Sequence, residues 1–328
     1  MPGSETLTNS TLNLNKHQAY LPSIITEIRQ SVCLDRQHIS KIAGDGSGRQ
    51  FYRLSHTLPS QVLMVLPEEE KEQLKLKEHT WVTLCESFRQ SGIRTPKIHS
   101  VLHDSACLLV EDCGDTTLSK QLEENPTDFR SLYHQASLLC SRINQTSTPT
   151  PNQDFSSETF YNELLFFHSH AKITIPLQSF KEDAQRLCHD IMQSPQVITH
   201  RDFHSRNIMV TSQNEWILID FQDARMGPAA YDLVSLCFDP YVSKNFDERV
   251  QLLEENCLHF EHSKEILNSW RPVAIQRLMK ALGSFYYLTQ LKRGDYTPYI
   301  PVSCEILKHL DMSPWPFLEA AVKEADHA

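Results

Sequence analysis

Between His200 and Asn207 the chain reads His-Arg-Asp-Phe-His-Ser-Arg-Asn, and soon after it the apolar run Trp216-Ile217-Leu218-Ile219 ends in Asp220. Residues of these types in this order can transfer a phosphoryl group. Asp202 can orient an attacking hydroxyl and take its proton. Asn207 and Asp220 offer hard oxygen ligands of the kind Mg²⁺ prefers. Such chemistry asks the protein mainly for positioning and for neutralising charge on the phosphate oxygens. Read singly, the same residues are ordinary: His200 a core or turn histidine, Asn207 a turn former, Asp220 a helix cap. His200 and His204 stand at a spacing that also suits zinc. That pattern needs a helix and a Glu after the first His, and Arg201 occupies that place.

The elements that must hold these residues follow from the pattern around them. Strands are expected at Gln196–Thr199, Ile208–Thr211 and Trp216–Ile219. They interrupt helices expected at Glu158–Ala171, Leu177–Met192, Ala230–Phe238, Phe246–Phe260, Val273–Leu291 and Pro316–Ala325. Phe129, Leu132, Ala136, Leu139 and Ile143 step by three and four, an amphipathic stripe. Thr146 to Ser157, rich in Pro, Ser, Thr and Asn, reads as a surface loop. The first third differs. Ile39 to Leu66 reads as strands around a loop that places Gly44, Gly46 and Gly48 within five positions, and Pro67 ends the apolar strand Val62–Leu66. A helix with Leu74, Trp81, Leu84, Cys85 and Phe88 on one face stops at Gly92. Lys97 to Glu111 then reads as a hairpin turning at Asp104-Ser105. Strands, a helix and a hairpin make a small α+β lobe. The larger lobe starts near residue 113, and ligand sites commonly lie in clefts between lobes.

Bulk properties narrow the class. A chain of 328 residues has ample length for two lobes with real cores. Its net charge of −10 and lack of a strongly basic segment speak against nucleic acid as partner. No apolar run approaches membrane-spanning length. Nine cysteines, an odd number with no Cys-x-x-Cys pair, fit reduced thiols and a cytoplasmic protein. Ser4 to Lys16 lacks the basic start and apolar block of a secretory signal. Residues 1–18 are expected to be disordered. Nothing in the sequence sets the oligomeric state.

With these motifs in place, the sequence resembles the aminoglycoside phosphotransferase/choline kinase superfamily from about residue 35 onward. Within it, the chain is most similar to bacterial kinases that phosphorylate free N-acetylmuramate or N-acetylglucosamine at the anomeric hydroxyl. Four segments carry the resemblance: Gly44–Arg53, His200-Arg201-Asp202 with Arg206-Asn207, Asp220–Ala224, and Gln276-Arg277 with Lys280–Gly283. It implies a bilobal protein-kinase-like α+β fold. Residues 19–112 would form the nucleotide-binding lobe, and 113–328 the helical lobe with catalytic loop and acceptor site. It implies ATP and Mg²⁺ as cofactors, a small-molecule acceptor, and a place in cell-wall sugar recycling. Gly44, Gly46, Ser47 and Gly48 would bend over the phosphates, unless they form a plain hairpin turn. The backbone of Glu111-Asp112 would meet the adenine edge. His200 would brace the catalytic loop near Asp220. Asp232 would anchor that loop from the next helix, or else serve as a helix N-terminal acid.

One departure concerns the cation that holds the nucleotide. The third strand, Val62–Leu66, has no Lys, so Glu78 on the following helix lacks the partner it has in protein kinases. Arg49 and Arg53 are the alternatives. On the acceptor side, Gln276, Arg277 and Lys280 can share one helix face, and Arg206 lies inside the catalytic loop. Such a set suits a neutral or anionic sugar better than choline or an aminoglycoside, unless it is a salt-bridged helix face. The rivals are a kinase for choline, homoserine or an antibiotic, and a nucleotide-binding module without turnover.

Overall fold

The computed structural model describes residues 39–42, 48–55, 59–75, 79–146, 155–291 and 294–326. They fall into two compact units, one within Met1–His79 and Lys97–Asp112, the other within Thr80–Pro96 and Cys113–Ala328. No helix among the described residues is long and apolar enough to cross a membrane.

The first unit is a sheet of β1 (Ile39–Ile42), β2 (Gln50–Leu54), β3 (Gln61–Val65), β4 (Ile98–Leu102) and β5 (Cys107–Glu111) in the order β1-β2-β3-β5-β4. All pairs are antiparallel. Tyr52, Leu54, Leu63, Val65, Cys107 and Leu109 form one apolar cluster on it. The continuous run in β3 follows from its place in the middle of the sheet, where Val62 to Val65 are all buried. A short helix, α1 (Lys71–Lys75), leaves the sheet after Pro67. Glu78 and the glycine-rich residues 43–47 lie outside the described residues.

The next helix, α2 (Thr80–Gln90), was expected beside the sheet but groups with the second unit. Its apolar stripe is the reason. Trp81 and Phe88 pack on Phe221, with ring centroids 5.1 and 6.0 Å apart. Gly92, at φ +77°, closes the helix, and Ile93 N–H returns to the Phe88 carbonyl.

The rest of this unit holds α3 (Leu118–Glu124), α4 (Phe129–Asn144), α5 (Ser157–His170), α6 (Leu177–Ile191), α7 (Tyr231–Cys237), α8 (Phe246–Cys257), α9 (Ser263–Gln290), α10 (Tyr299–Lys308) and α11 (Pro316–Asp326). Two small hairpins interrupt them. β6 (Gln196–Thr199) pairs with β9 (Arg225–Pro228), and β7 (Ile208–Val210) with β8 (Trp216–Leu218). The loops between these strands carry residues 200–207 and 219–224. Helix α9 begins ten residues before the expected Val273 and runs straight through Pro272. It crosses α5 closely at Gly283, where a Cβ would stand 2.9 Å from Phe167 Cα. That contact fixes how deep α9 lies.

Candidate active site

Two loops carry Asp202, Asn207 and Asp220, and both bend where side chains are disfavoured. Arg201 has φ +76° and Asp220 φ +60°. Such geometry costs roughly 1–3 kcal/mol per residue and persists only where neighbours enforce it. Asp232, buried at the start of α7, is one enforcer. It accepts the backbone N–H of His200 (2.6 Å) and of Arg201 (3.0 Å). Burial pushes its pKa up to about 6, and those two bonds act the other way. His200 is the second. Its fully buried ring donates from Nε2 to the Ile219 carbonyl at 2.9 Å, tying one loop to the other beside Asp220. Burial lowers its pKa, so the neutral ring holds this bond.

Asn207 joins the loops from the other end. Its Nδ2 donates to the Asp202 carbonyl (2.9 Å) and to Asp220 Oδ2 (3.2 Å). These two acceptors settle which end of the amide is nitrogen, and so leave Oδ1 as the end that can face a cation. Gln222 Nε2 donates to Asp220 Oδ1 at 2.7 Å. Among the described residues no three His, Cys, Asp or Glu side chains could hold a metal by themselves. An amide oxygen and one carboxylate, completed by water and phosphate oxygens, are a donor set that fits Mg²⁺.

Asp202 is half-buried and takes two cations on one oxygen. Lys280 Nζ lies 2.7 Å and an Arg277 amino group 3.4 Å from its Oδ1. Burial alone would raise the Asp202 carboxyl, but Lys280 and Arg277 outweigh it and hold it well below the usual carboxylate range. Arg277 Nε is anchored on Ser235 Oγ at 3.1 Å. A cavity of about 90 Å³ opens beside these groups, bordered by Asp202, His204, Arg277, Lys280, Ser284 and Phe285.

Several sequence expectations change at this point. Gln276, expected to face an acceptor, is fully buried and donates to Glu163 Oε2 at 2.7 Å. The i,i+4 spacing shared by Gln276 and Lys280 could not tell inside from outside on so wide a helix face. Arg277 and Lys280 have Asp202 as partner rather than open solvent. Arg49, expected near phosphates, is buried in a bidentate pair with Glu70 (3.1–3.2 Å). Glu70 also pairs with His79 at 2.8 Å. Arg53 holds Asp112 at 2.7 Å, and Asp112 accepts Ser60 Oγ as well. Glu111 N–H is taken by the Lys97 carbonyl. Gly48 has φ +82° with open space around its Cα, a backbone only glycine adopts readily. Arg206 donates to the Tyr299 hydroxyl and stacks on Tyr241, 3.8 Å from the ring centroid, and on Tyr299 at 4.8 Å.

Three further residues escaped sequence reading. Glu163 on α5 pairs with Arg201 at 2.6 Å and so links the catalytic loop to Gln276. Asp239 accepts Ser205 N–H, Ser205 Oγ and Tyr241 N–H. Arg249, almost wholly buried, donates to the carbonyls of Cys237, Asp239, Val242 and Lys244 and freezes the segment that presents Tyr241. None of the three has a local sequence signature. The order Ser205…Asp239 becomes meaningful only once the loops are folded.

Comparison with known proteins identifies the family. The model of the phosphotransferase enzyme family matches residues 38–256. The N-acetylmuramate/N-acetylglucosamine kinase of Neisseria meningitidis is 27% identical over 282 residues, covering 79% of this chain and 81% of that protein. The protein of the same name from Pseudomonas aeruginosa is 24% identical over 61% of this chain, and the match spans 60% of that relative's length. Among solved structures, the choline kinase LicA of Streptococcus pneumoniae superposes with a TM-score of 0.57 at 14% identity, over 94% of this chain and 100% of that one. The ADP-bound aminoglycoside phosphotransferase APH(2'')-Ib gives 0.54 at 11%, over 92% and 98%. Both likenesses are of fold. Since the family model spans most of the chain and takes in both loops, this protein belongs to the phosphotransferase enzyme family and is a small-molecule kinase acting on a hydroxyl group.

Proposed function

We propose that this kinase transfers the terminal phosphoryl group of ATP to an amino sugar, at the anomeric hydroxyl of N-acetylmuramate or N-acetylglucosamine. The observation that carries the choice of acceptor is Arg206. A cationic acceptor such as choline needs an aromatic cage or a set of carboxylates. Tyr241 and Tyr299 would make such a cage, but the guanidinium of Arg206 already occupies it. Arg277 and Lys280 add two more positive charges around Asp202. This environment repels an ammonium and suits a neutral sugar or one bearing a carboxylate. The names of the curated relatives support the same class.

In this reading Asp202 accepts the hydrogen bond of the attacking hydroxyl and then its proton. Asn207 Oδ1 and Asp220 would hold Mg²⁺, which would supply positive charge to neutralise phosphate oxygens. His200 and Asp232 act as positioning residues. The glycine-rich segment that ends at Gly48 keeps the role at the phosphates that the sequence suggests, and the backbone of Glu111-Asp112 would meet the adenine. The 90 Å³ cavity is too small for a sugar ring, given that about 150 Å³ holds a benzene, and so would take only a substituent.

ADP release with purified protein, ATP, Mg²⁺ and a panel of sugars, choline and homoserine tests the reading. A sugar 1-phosphate has lost its reducing end and is far more acid-labile than a 6-phosphate ester. ADP formation should therefore match loss of reducing sugar. Turnover of choline or homoserine with none of the sugars would rule the proposal out.

A further inference from the structure

We propose that Lys280 is a catalytic residue that neutralises the transferred phosphoryl group, leaving Asp202 for it when donor and acceptor are in place. The inference rests on the reading that a nucleoside triphosphate is the donor, but not on which acceptor is used. Its starting point is the engagement of the candidate cations among the described residues. Strand β3 has no Lys, and Arg49 and Arg53 are engaged by Glu70 and Asp112. At Asp202 two cations share one carboxylate oxygen. A single carboxylate needs only one to be balanced.

The two cations are not equivalent. Arg277 is fixed by its second bond to Ser235, and its side chain is only 11% exposed. Lys280 has Asp202 as its one side-chain partner among the described residues, on a flexible four-carbon stem. Arg277 can therefore keep Asp202 ionised while Lys280 swings. Distance permits the move. A hydroxyl oxygen bonded to Asp202 lies about 2.6–3.2 Å from it, and the phosphorus it attacks about 3–3.5 Å further. The phosphoryl group then stands within about 7 Å of the oxygen that Lys280 now touches, a span the stem covers.

The step balances without further reagents. The acceptor oxygen forms the new bond to phosphorus, and the bond from phosphorus to the bridging oxygen of ADP breaks with its electron pair going to ADP. The hydroxyl proton passes to Asp202 and on to solvent. Lys280 stays protonated throughout and contributes charge where it develops.

Lys280→Met and Lys280→Arg test this on whichever acceptor the protein turns over. Lys280→Met is expected to lower kcat by ~10²–10³-fold, as loss of a group that stabilises the transition state does. KM for a charged and for an uncharged acceptor should change alike, by no more than about threefold. Lys280→Arg should recover part of the rate. Titration calorimetry with ADP, Mg²⁺, acceptor and aluminium fluoride, which stands in for the phosphoryl group in flight, gives a readout apart from turnover. Fluoride should tighten ADP binding to the native protein but not to Lys280→Met, while binding of ADP alone stays the same and so reports a folded site. Lys280→Ala replaces the Met variant if that does not fold. Near-native kcat, an effect confined to KM for an acidic sugar, or a fluoride complex as tight as native would each overturn the proposal.

Discussion

The sheet unit and the surroundings of Asp202 in the other unit pair their charges differently. In the sheet unit each described arginine meets an acid: Arg49 sits on Glu70, which also takes His79, and Arg53 sits on Asp112. Around Asp202 the ratio is reversed, one carboxylate between Lys280 and Arg277. Pairs of the first kind tie segments distant in sequence to one another. The second kind leaves positive charge over, at the place where we propose that an anion is handled. The contrast separates ion pairs that build the fold from one poised for chemistry.

Removing the shared carboxylate should break the contrast most severely. Asp202→Asn keeps the shape but loses the base and is expected to lower kcat by ~10²–10⁴-fold. Calorimetric binding of ATP should be little changed. A variant with near-native kcat would falsify the role given to Asp202. Next is the anchor beneath it. Asp232→Asn turns an amide N–H₂ toward backbone donors and should destabilise the protein by about 1–3 kcal/mol, with a fall in kcat as the loop loosens. Urea melts and initial rates read both, and an unchanged midpoint would mean the loop is held by other contacts.

The cation side is set by the depth of α9. Gly283→Ala pushes that helix off Phe167 and should cost about 1–3 kcal/mol. It also displaces Arg277 and Lys280, so kcat should fall in the same variant. A stability loss with kcat intact would show the cations to be independent of helix position.

The smallest effect on turnover is expected in the sheet unit. Arg49→Met removes one partner of a part-buried pair, worth about 1.5–3 kcal/mol at most. If the pair is structural, KM for ATP should stay within about twofold; a large rise would return Arg49 to the phosphate site. The pair also has a pH signature. Burial raises Glu70, but its bonds to His79 and Arg49 prevail and hold its pKa below the ordinary 4.5. Its stabilisation is complete above that ordinary value and is lost as pH falls through the lower folded one. Acid melts of native protein should show this loss, and Arg49→Met should show less of it.

The sequence spoke most clearly where a role needs residues close together in the chain. Asp202, Asn207 and Asp220 sit on short strand–loop connections, so their spacing already implies convergence, and strand Gln196–Thr199 and helix α7 were readable from the same segment. Roles that join distant segments were not. Glu163, Asp239 and Arg249 touch the catalytic loops only after helices α5, α7 and α8 have packed. Gln276 looked like its neighbour Arg277 because helical periodicity gives direction but not depth. Helix α10 was not among the expected helices; Pro298 and Pro301 stand at its start, where proline is harmless. The early start of α9 escaped because Pro272 reads as a break, yet the helix passes through it.

Arg206 is in effect a resident ligand of its own protein, a guanidinium docked between Tyr241 and Tyr299 as a small cation would be in a choline pocket. Acceptor preference in such a scaffold can then turn on one side chain. Trimming Arg206 to alanine would leave a vacancy shaped for a methylated ammonium, and free guanidinium could refill it. Swapping a tethered cation for a diffusing one is a short evolutionary step between kinases of neutral and of cationic acceptors, and it requires no change in the machinery at Asp202.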